Sequence, residues 1–274
     1  CGTWCHFSEH GVDLMTPRKC LNRWTIFRVF VRSFCVQSAM NYERMQNVGF
    51  AFAMEPAIRR LYPKDQWNSV MRRHLLFFNS NPYLSAAILG AVLNLEEKHA
   101  NGEIDSQSIV DFKQFMMGPV AALGDSFFWT SLKPFVASIV IIAALSGWSW
   151  APLLFLILYN LVQVSIRLYG VFAGYREGED VCLNLQDLAL VRMGTHAQLF
   201  TAIALGGCGG LLVRDSTTSA AAIDGPLEIF LFASLVLLFL LGLRRKLDSA
   251  TLLYLFGLGT FVLVLMLNHW FPLT

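Results

Sequence analysis

The stretch Pro134–Trp150, PFVASIVIIAALSGWSW, runs directly into Ala151–Ala173, APLLFLILYNLVQVSIRLYGVFA, and across both of them Arg167 is the one charged side chain. A hydrocarbon layer about 30 Å thick needs roughly 20 apolar residues for each helical crossing. Each half approaches that length, and Gly147 and Pro152 punctuate the junction. The pair therefore predicts a helical hairpin that crosses a membrane twice. Outward toward the C-terminus, Ala197–Val213, Glu228–Leu243 and Ala250–His269 repeat the pattern, so residues 134–274 read as a region of about five transmembrane helices. Gly206, Gly207, Gly209 and Gly210 lie in the third span, where small residues let helix backbones approach closely, and they predict a packing seam.

The composition agrees. The 274 residues are 55% hydrophobic and 15% charged, with a mean hydropathy of +0.51, beyond the apolar share and below the charged share of soluble domains. The net charge is +2, and no basic face or stripe of the kind that binds nucleic acid is present. Basic residues concentrate before Phe135 and again at Arg244-Arg245-Lys246. The preference of Lys and Arg for the cytoplasmic side places both clusters inside, with Tyr175–Thr195 also inside, Arg214–Pro226 and the C-terminus outside. Trp148, Trp150, Trp270 and Phe271 then fall at outer helix ends, where aromatic rings favour the interface.

Residues 1–21 read as a poorly defined leader, with Met15 as the expected initiator. Cys1, Cys5, His6 and His10 are potential metal ligands, but nothing around them fixes a coordination geometry, and no metal site is assigned. No apolar core of a signal peptide precedes the basic stretch Arg18–Arg32. The six cysteines lack the paired spacing of a disulfide framework and are expected as free thiols.

Residues 22–133 are different in texture. Asn22–Leu61 reads as helical and amphipathic, with Ile26, Val29, Phe30, Ser33, Phe34 and Gln37 at three- and four-residue steps. Pro56 should interrupt it and Pro63 should stop it, and a second helix is predicted over Asp65–Phe78. Asn79-Ser80-Asn81-Pro82 is a break. The apolar run Tyr83–Leu95 is too short to span and predicts a buried helix or a re-entrant arm, closed by Glu96-Glu97, with Lys98–Asp111 as a solvated connection. In Phe115–Leu132, Gly118-Pro119 and Gly124-Asp125-Ser126 should break a helix at membrane depth, the arrangement that marks binding sites in transporters. The fold class is therefore an all-α membrane protein: amphipathic N-terminal helices, re-entrant or broken helices, then about five transmembrane helices.

No phosphate-binding loop, nucleophile elbow or paired-histidine zinc motif occurs, so no catalytic residue, metal or cofactor is assigned. Polar residues set in apolar stretches are the candidates. Gln37, Asn41 and Arg44 would share a helical face able to bind hydroxyl groups, or would satisfy broken backbone and pair with other helices. Asn79 and Asn81 offer amides that donate and accept, or form an Asx turn before Pro82. Glu96 and Glu97 bind a ligand or end a helix in solvent. Asp125 faces a cavity or caps the next helix. Trp129 is a stacking platform or an interfacial anchor. Arg167 should meet a carboxylate or snorkel, and the dispersed histidines have no shared spacing for a relay.

Four ordered blocks resemble one family. Asn41–Gly49, NYERMQNVG, resembles the N-Y/F-E-R-M-Q-x-x-G signature of IID subunits of mannose-family sugar phosphotransferase systems. Phe77–Tyr83 resembles F-F-N-T-x-P-[FY], Gly90–Glu97 resembles G-x-x-L-A-L-E-E, and Gly118–Pro134 resembles G-P-L-A-G-x-G-D-x-x-F-W-G-T-x-x-P. Tyr169–Tyr175 adds Y-G-V-x-x-G-Y. Departures are Ser80 for threonine, Asn81 where histidine or glutamine is common, Asn94 for alanine, Ala122 for glycine and Ser131 for threonine. The resemblance implies a multi-pass protein of the bacterial cytoplasmic (inner) membrane. It implies a trimer of IIC–IID heterodimers that carries a hexose while cytoplasmic IIA and IIB relay phosphate, with IID itself not phosphorylated. It implies a sugar site drawn from Gln37, Asn41, Asn79, Asn81, Glu96, Glu97 and Asp125, or else a scaffold role in which those residues only hold IIC in place.

Overall fold

A computed structural model describes residues 19–181 and 190–216, together with Ser234, Leu237, Leu238, Leu241, Leu255 and Gly257–Gly259. The described residues are helical, with no strand among them. In order they form α1 (Arg23–Ser33), α2 (Asn47–Leu61), a 3₁₀ turn (Lys64–Gln66), α3 (Trp67–His74), α4 (Ser85–Ala100), α5 (Ser106–Gly124), a π-helical segment (Asp125–Leu132), α6 (Lys133–Leu145), α7 (Ala151–Glu177), a second 3₁₀ turn (Gly178–Asp180) and α8 (Leu190–Ser216). The chain divides into two compact units, Cys1–Ala202 and Ile203–Thr274, with the boundary inside α8. In the second unit the described positions after α8 are all helical. The last two predicted spans and the Arg244-Arg245-Lys246 cluster otherwise lie outside the described residues.

Among the described residues, two helices are long and apolar enough to cross a membrane: Ser106–Leu145, 40 residues, and Ala151–Asp180, 30 residues. They include the predicted hairpin, whose turn places Gly147 at a φ of +85° and leaves Trp148 and Trp150 exposed beside it. A helical break was expected near Gly124, but the backbone runs unbroken from Ser106 to Leu145, with the extra residue absorbed in the π segment. A π turn frees carbonyls from their usual partners, and here the Ser131 hydroxyl donates to Ser126 O at 3.0 Å.

The expected continuous helix Asn22–Leu61 is two antiparallel helices. α1 ends at Ser33, whose hydroxyl donates to Phe30 O, and residues 34–46 form turns with Met45 at a φ of 55°. Gln37, Asn41 and Arg44 therefore do not share a helical face. Short polar side chains in this stretch bond locally to backbone, competing with the helical ladder. Pro56, by contrast, does not interrupt α2. Its ring removes the amide that would bond to Phe52 O, and Arg32 Nη1 donates to that carbonyl at 3.0 Å instead. The predicted second helix shortens to α3, preceded by its 3₁₀ turn.

α4 is the centre of the first unit. Its residues from Ser85 to Leu93 are all buried, which settles Tyr83–Leu95 as a buried helix. It lies parallel to α7 at a backbone-to-backbone seam: a Cβ on Gly90 would sit 2.2 Å from Val171 O, and one on Gly174 would sit 2.3 Å from Ala87 O. A close-approach seam thus joins α4 and α7; Gly206 and Gly207, where a seam was expected, have nothing within 4 Å among the described residues. The surroundings of Gly209 and Gly210 lie outside the described residues. α1 runs antiparallel to this pair. Leu21 N donates to Glu97 Oε2 at 2.8 Å at one end, and Arg167 Nη1 donates to Ser33 O at 2.5 Å at the other. Arg167 was expected to meet a carboxylate or to snorkel. It instead meets the carbonyl end of α1, where the helix dipole favours a cation, and lies over the Phe34 and Tyr83 rings. Cys35 is a free thiol, as the spacing predicted.

Candidate functional site

Residues 75–82 form a loop between α3 and α4, and the NYERMQN stretch grips it. Gln46 is fully buried. Its Nε2 donates to Ser80 O at 2.9 Å and its Oε1 accepts from Ser80 N at 3.1 Å. One amide thus mimics a strand partner for Ser80. The backbone extends the grip, with Gln46 N donating to Phe78 O at 2.8 Å, while Asn47 Nδ2 donates to Leu75 O at 2.7 Å. Asn41 closes its own turn: Oδ1 accepts from Arg44 N, and Nδ2 donates to Asn47 Oδ1 at 2.8 Å. The motif that looked ligand-binding is therefore mostly self-engaged, and its geometric effect is to fix the loop that carries Asn79 and Asn81.

Asn81 is buried and fully engaged. Its Oδ1 accepts from Tyr83 N at 3.0 Å and Leu84 N at 3.3 Å, an Asx turn that opens α4. Its Nδ2 donates to Asp125 Oδ1 at 2.9 Å. The side chain fills the notch left by Gly124, where a Cβ would lie 2.4 Å from Asn81 Cβ. Asp125 itself is exposed on the π segment. It does not cap a helix, because the helix neither starts nor stops there. Asn79 is exposed, its backbone N–H facing Met117 Sδ at 3.2 Å, and its amide engages nothing among the described residues. The structure therefore joins Asn81 to Asp125, carries Asn79 two residues away on the same loop against Met117, holds that loop through Gln46, and leaves Gln37 exposed on the turn after α1. Beside the cluster, Tyr83 meets Phe128, Trp129 and Tyr159 with ring centroids 4.5, 6.2 and 6.1 Å away.

Glu96 and Glu97 stand apart, with Glu96 about 16 Å along α4 from Ser85 at the usual helical rise. Glu96 is completely buried and accepts from Arg73 Nε at 2.7 Å and from the Tyr62 hydroxyl at 2.7 Å. His74 Nε2 lies 2.9 Å from Glu96 Oε1, yet the ring N–H is not aimed well enough to count as a hydrogen bond, and Nδ1 is unpartnered too. Burial opposes ionisation of Glu96, but His74 and Arg73 outweigh it and hold the carboxyl at about 2. Burial also depresses His74, and the nearby Lys113 and Arg73 add to the effect against the pull of Glu96. The imidazole is therefore neutral at pH 7, so Arg73 is the lasting positive partner of Glu96. Lys113, buried within α5, donates to the last carbonyls of α3, Arg73 O and His74 O, at 3.2 and 3.4 Å. Glu97 Oε2 accepts from Tyr175 at 2.6 Å and from Leu21 N. These two carboxylates tie α1, α3, α4 and α7 together. Sequence reasoning missed Tyr62, Arg73, His74 and Lys113 as their partners. The available signal was Lys113, a lone cation between apolar positions of α5.

Comparison with known proteins follows the same outline. Residues 20–267 match the family model described as the PTS system mannose/fructose/sorbose family IID component. The chain is 43% identical over 194 residues, 70% of this chain and 69% of the relative, to the mannose-specific EIID component of Escherichia coli K12. It is 31% identical over 272 residues, 92% and 96% of the two chains, to the sorbose-specific EIID component of Lacticaseibacillus casei. Among solved structures, the fold is similar to a chain of the mannose transporter ManYZ in complex with microcin E492, with a TM-score of 0.57 and 33% identity over 93% of this chain and 98% of that one. A second chain, described as a membrane protein, gives a TM-score of 0.65 at 33% identity, covering 91% and 97%.

Proposed function

The chain belongs to the mannose/fructose/sorbose family of phosphotransferase-system IID components, and from that membership we propose that it carries a hexose across the bacterial cytoplasmic membrane together with a IIC subunit. Cytoplasmic IIA and IIB supply the phosphoryl group, and the working unit is a multi-pass trimer of IIC–IID heterodimers. The sugar meets Asn79 and Asp125, while Gln37, exposed on the turn after α1, stands apart from them. An amide that both donates and accepts, beside a carboxylate that accepts, suits vicinal hydroxyls. The observation that carries this reading is the unengaged Asn79 amide, exposed on a loop that Gln46 fixes, two residues from Asn81, which orients the Asp125 carboxylate. Asn41 and Asn81 act as positioning residues. Glu96 and Glu97 support the site by fixing the far end of α4.

A scaffold role, in which the chain assembles and stabilises IIC without touching sugar, is the second reading. It is favoured by the internal engagement of Asn41, Asn81, Glu96 and Glu97. The two readings separate in phosphoenolpyruvate-dependent uptake of labelled hexoses by cells expressing the chain with its IIC, IIA and IIB. Transport through this chain requires that Asn79→Ala abolish uptake while the complex still assembles in the membrane. Normal uptake by a fully assembled Asn79→Ala complex would remove Asn79 from the site and favour the scaffold.

A further inference from the structure

The π segment also borders a cavity. It holds about 140 Å³ between the π segment and the start of α8, and Ser126, Ser131, Thr195 and Gln198 line it together with Leu123 and Phe127. One water needs roughly 10–15 Å³ of such space, so the cavity has room for a ligand the size of one monosaccharide. Its polar groups are organised. Ser131, 1% exposed, accepts from Gln198 Nε2 at 2.9 Å and donates to Ser126 O at 3.0 Å. Gly194 lets α8 come this close, since a Cβ there would lie 3.0 Å from Ser131 Oγ. Thr195 and Gln198 are exposed at the rim.

We propose that this cavity is a second hexose-binding station, distinct from the Asn79–Asp125 cluster, in which Ser126, Thr195 and Gln198 bind the sugar's hydroxyls and Phe127 packs against its C–H face. The lining fits that ligand class in three ways. Among the described residues no charged side chain lines the cavity, which suits a neutral solute. Hydroxyls and an amide can each donate and accept, matching sugar hydroxyls. Polar side chains in an otherwise apolar span are costly unless they serve a site or a contact, and π segments recur where helices carry function. The site rests on the transport reading above, and places a further stopping point for sugar along the same helix.

The test uses the IIC–IID complex in cells with IIA and IIB present. Gln198→Leu removes a rim amide while keeping its bulk, and Ser126→Ala removes an exposed hydroxyl that makes no packing contact in the helix ladder. Each should raise the KM for hexose uptake about tenfold, the effect of one lost hydrogen bond, while the amount of complex in the membrane and the maximal rate change little. Unchanged KM in both assembled variants would overturn the station, as would lower membrane yield with KM unchanged, since that is the mark of a packing contact alone. If Asn79→Ala abolishes uptake and these variants do not affect it, transport stands and the second station falls. If the unaltered chain supports no uptake, the transport reading itself is at fault.

Discussion

Replacing Gln46 with alanine removes two buried hydrogen bonds at once, those to Ser80 O at 2.9 Å and from Ser80 N at 3.1 Å. Ser80 is itself buried, so its N–H and carbonyl are left without partners. Each orphaned buried group costs about 1–3 kcal/mol, and partial relaxation of the loop puts the combined loss at about 2–4 kcal/mol. That loss falls on the local opening of residues 78–84. At about 1.4 kcal/mol per tenfold, hydrogen-exchange protection at the Ser80 amide should drop roughly 30- to 1,000-fold. The measurement is exchange by mass spectrometry on the complex in lipid nanodiscs, following the peptide over Phe78–Leu84, with the buried stretch Ala86–Leu93 of α4 as the internal reference. Gln46→Glu keeps an acceptor for Ser80 N but turns the donor into a second oxygen facing Ser80 O, and should fall at least as far. Hexose uptake should weaken in parallel, because the loop positions Asn79. Unaltered protection at Ser80 in Gln46→Ala would refute the account of the motif as a clamp on this loop.

Two further predictions concern the helix seam and acid. Gly90→Ala drives a methyl to within 2.2 Å of the Val171 carbonyl and should sharply reduce the yield of folded complex. Gly118→Ala, with nothing within 4 Å, should be tolerated and stabilise α5 by about 0.5–1 kcal/mol through helix propensity; equal yields from the two would contradict the packing described. Acid should destabilise the buried cluster. His74 is depressed below its ordinary value of 6.5, so as the pH falls below 6.5 the unfolded chain takes up a proton that the folded one refuses, and stability drops. Glu96, held at about 2 against an ordinary value of 4.5, contributes stability above pH 4.5 that is lost as the pH falls toward 2. Unfolding midpoints of the purified complex should fall from pH 7 to pH 5, with His74→Gln flattening the slope. The same slope in His74→Gln would assign it to other groups.

The parts of this molecule that were legible in the sequence are those encoded by runs and periods. The hairpin of Pro134–Ala173 needs only length and apolarity, and the helix after Pro82 needs only its unbroken apolar run. The four ordered motifs were enough to indicate the family. The breaks were less legible, because proline and glycine state what is removed from a helix and not what replaces it. Pro56 leaves α2 intact since Arg32 supplies the missing donor, and Gly124-Asp125 becomes a π turn because Asn81 fills the notch beside it.

For the site, sequence singled out Asn79, Asn81 and Asp125, and the fold joins Asn81 to Asp125 and leaves Asn79 exposed on the same loop. It also singled out Asn41, Glu96 and Glu97, which the fold engages internally. The difference lies in partners far along the chain: Gln46 with Ser80, Arg73 and Tyr62 with Glu96, Tyr175 with Glu97. Local sequence determines that a polar group in an apolar protein must be satisfied, because an unpaired one costs several kcal/mol. Only the tertiary structure decides whether a side chain from another helix satisfies it, or whether it stays open, as Asn79 does, to meet a ligand.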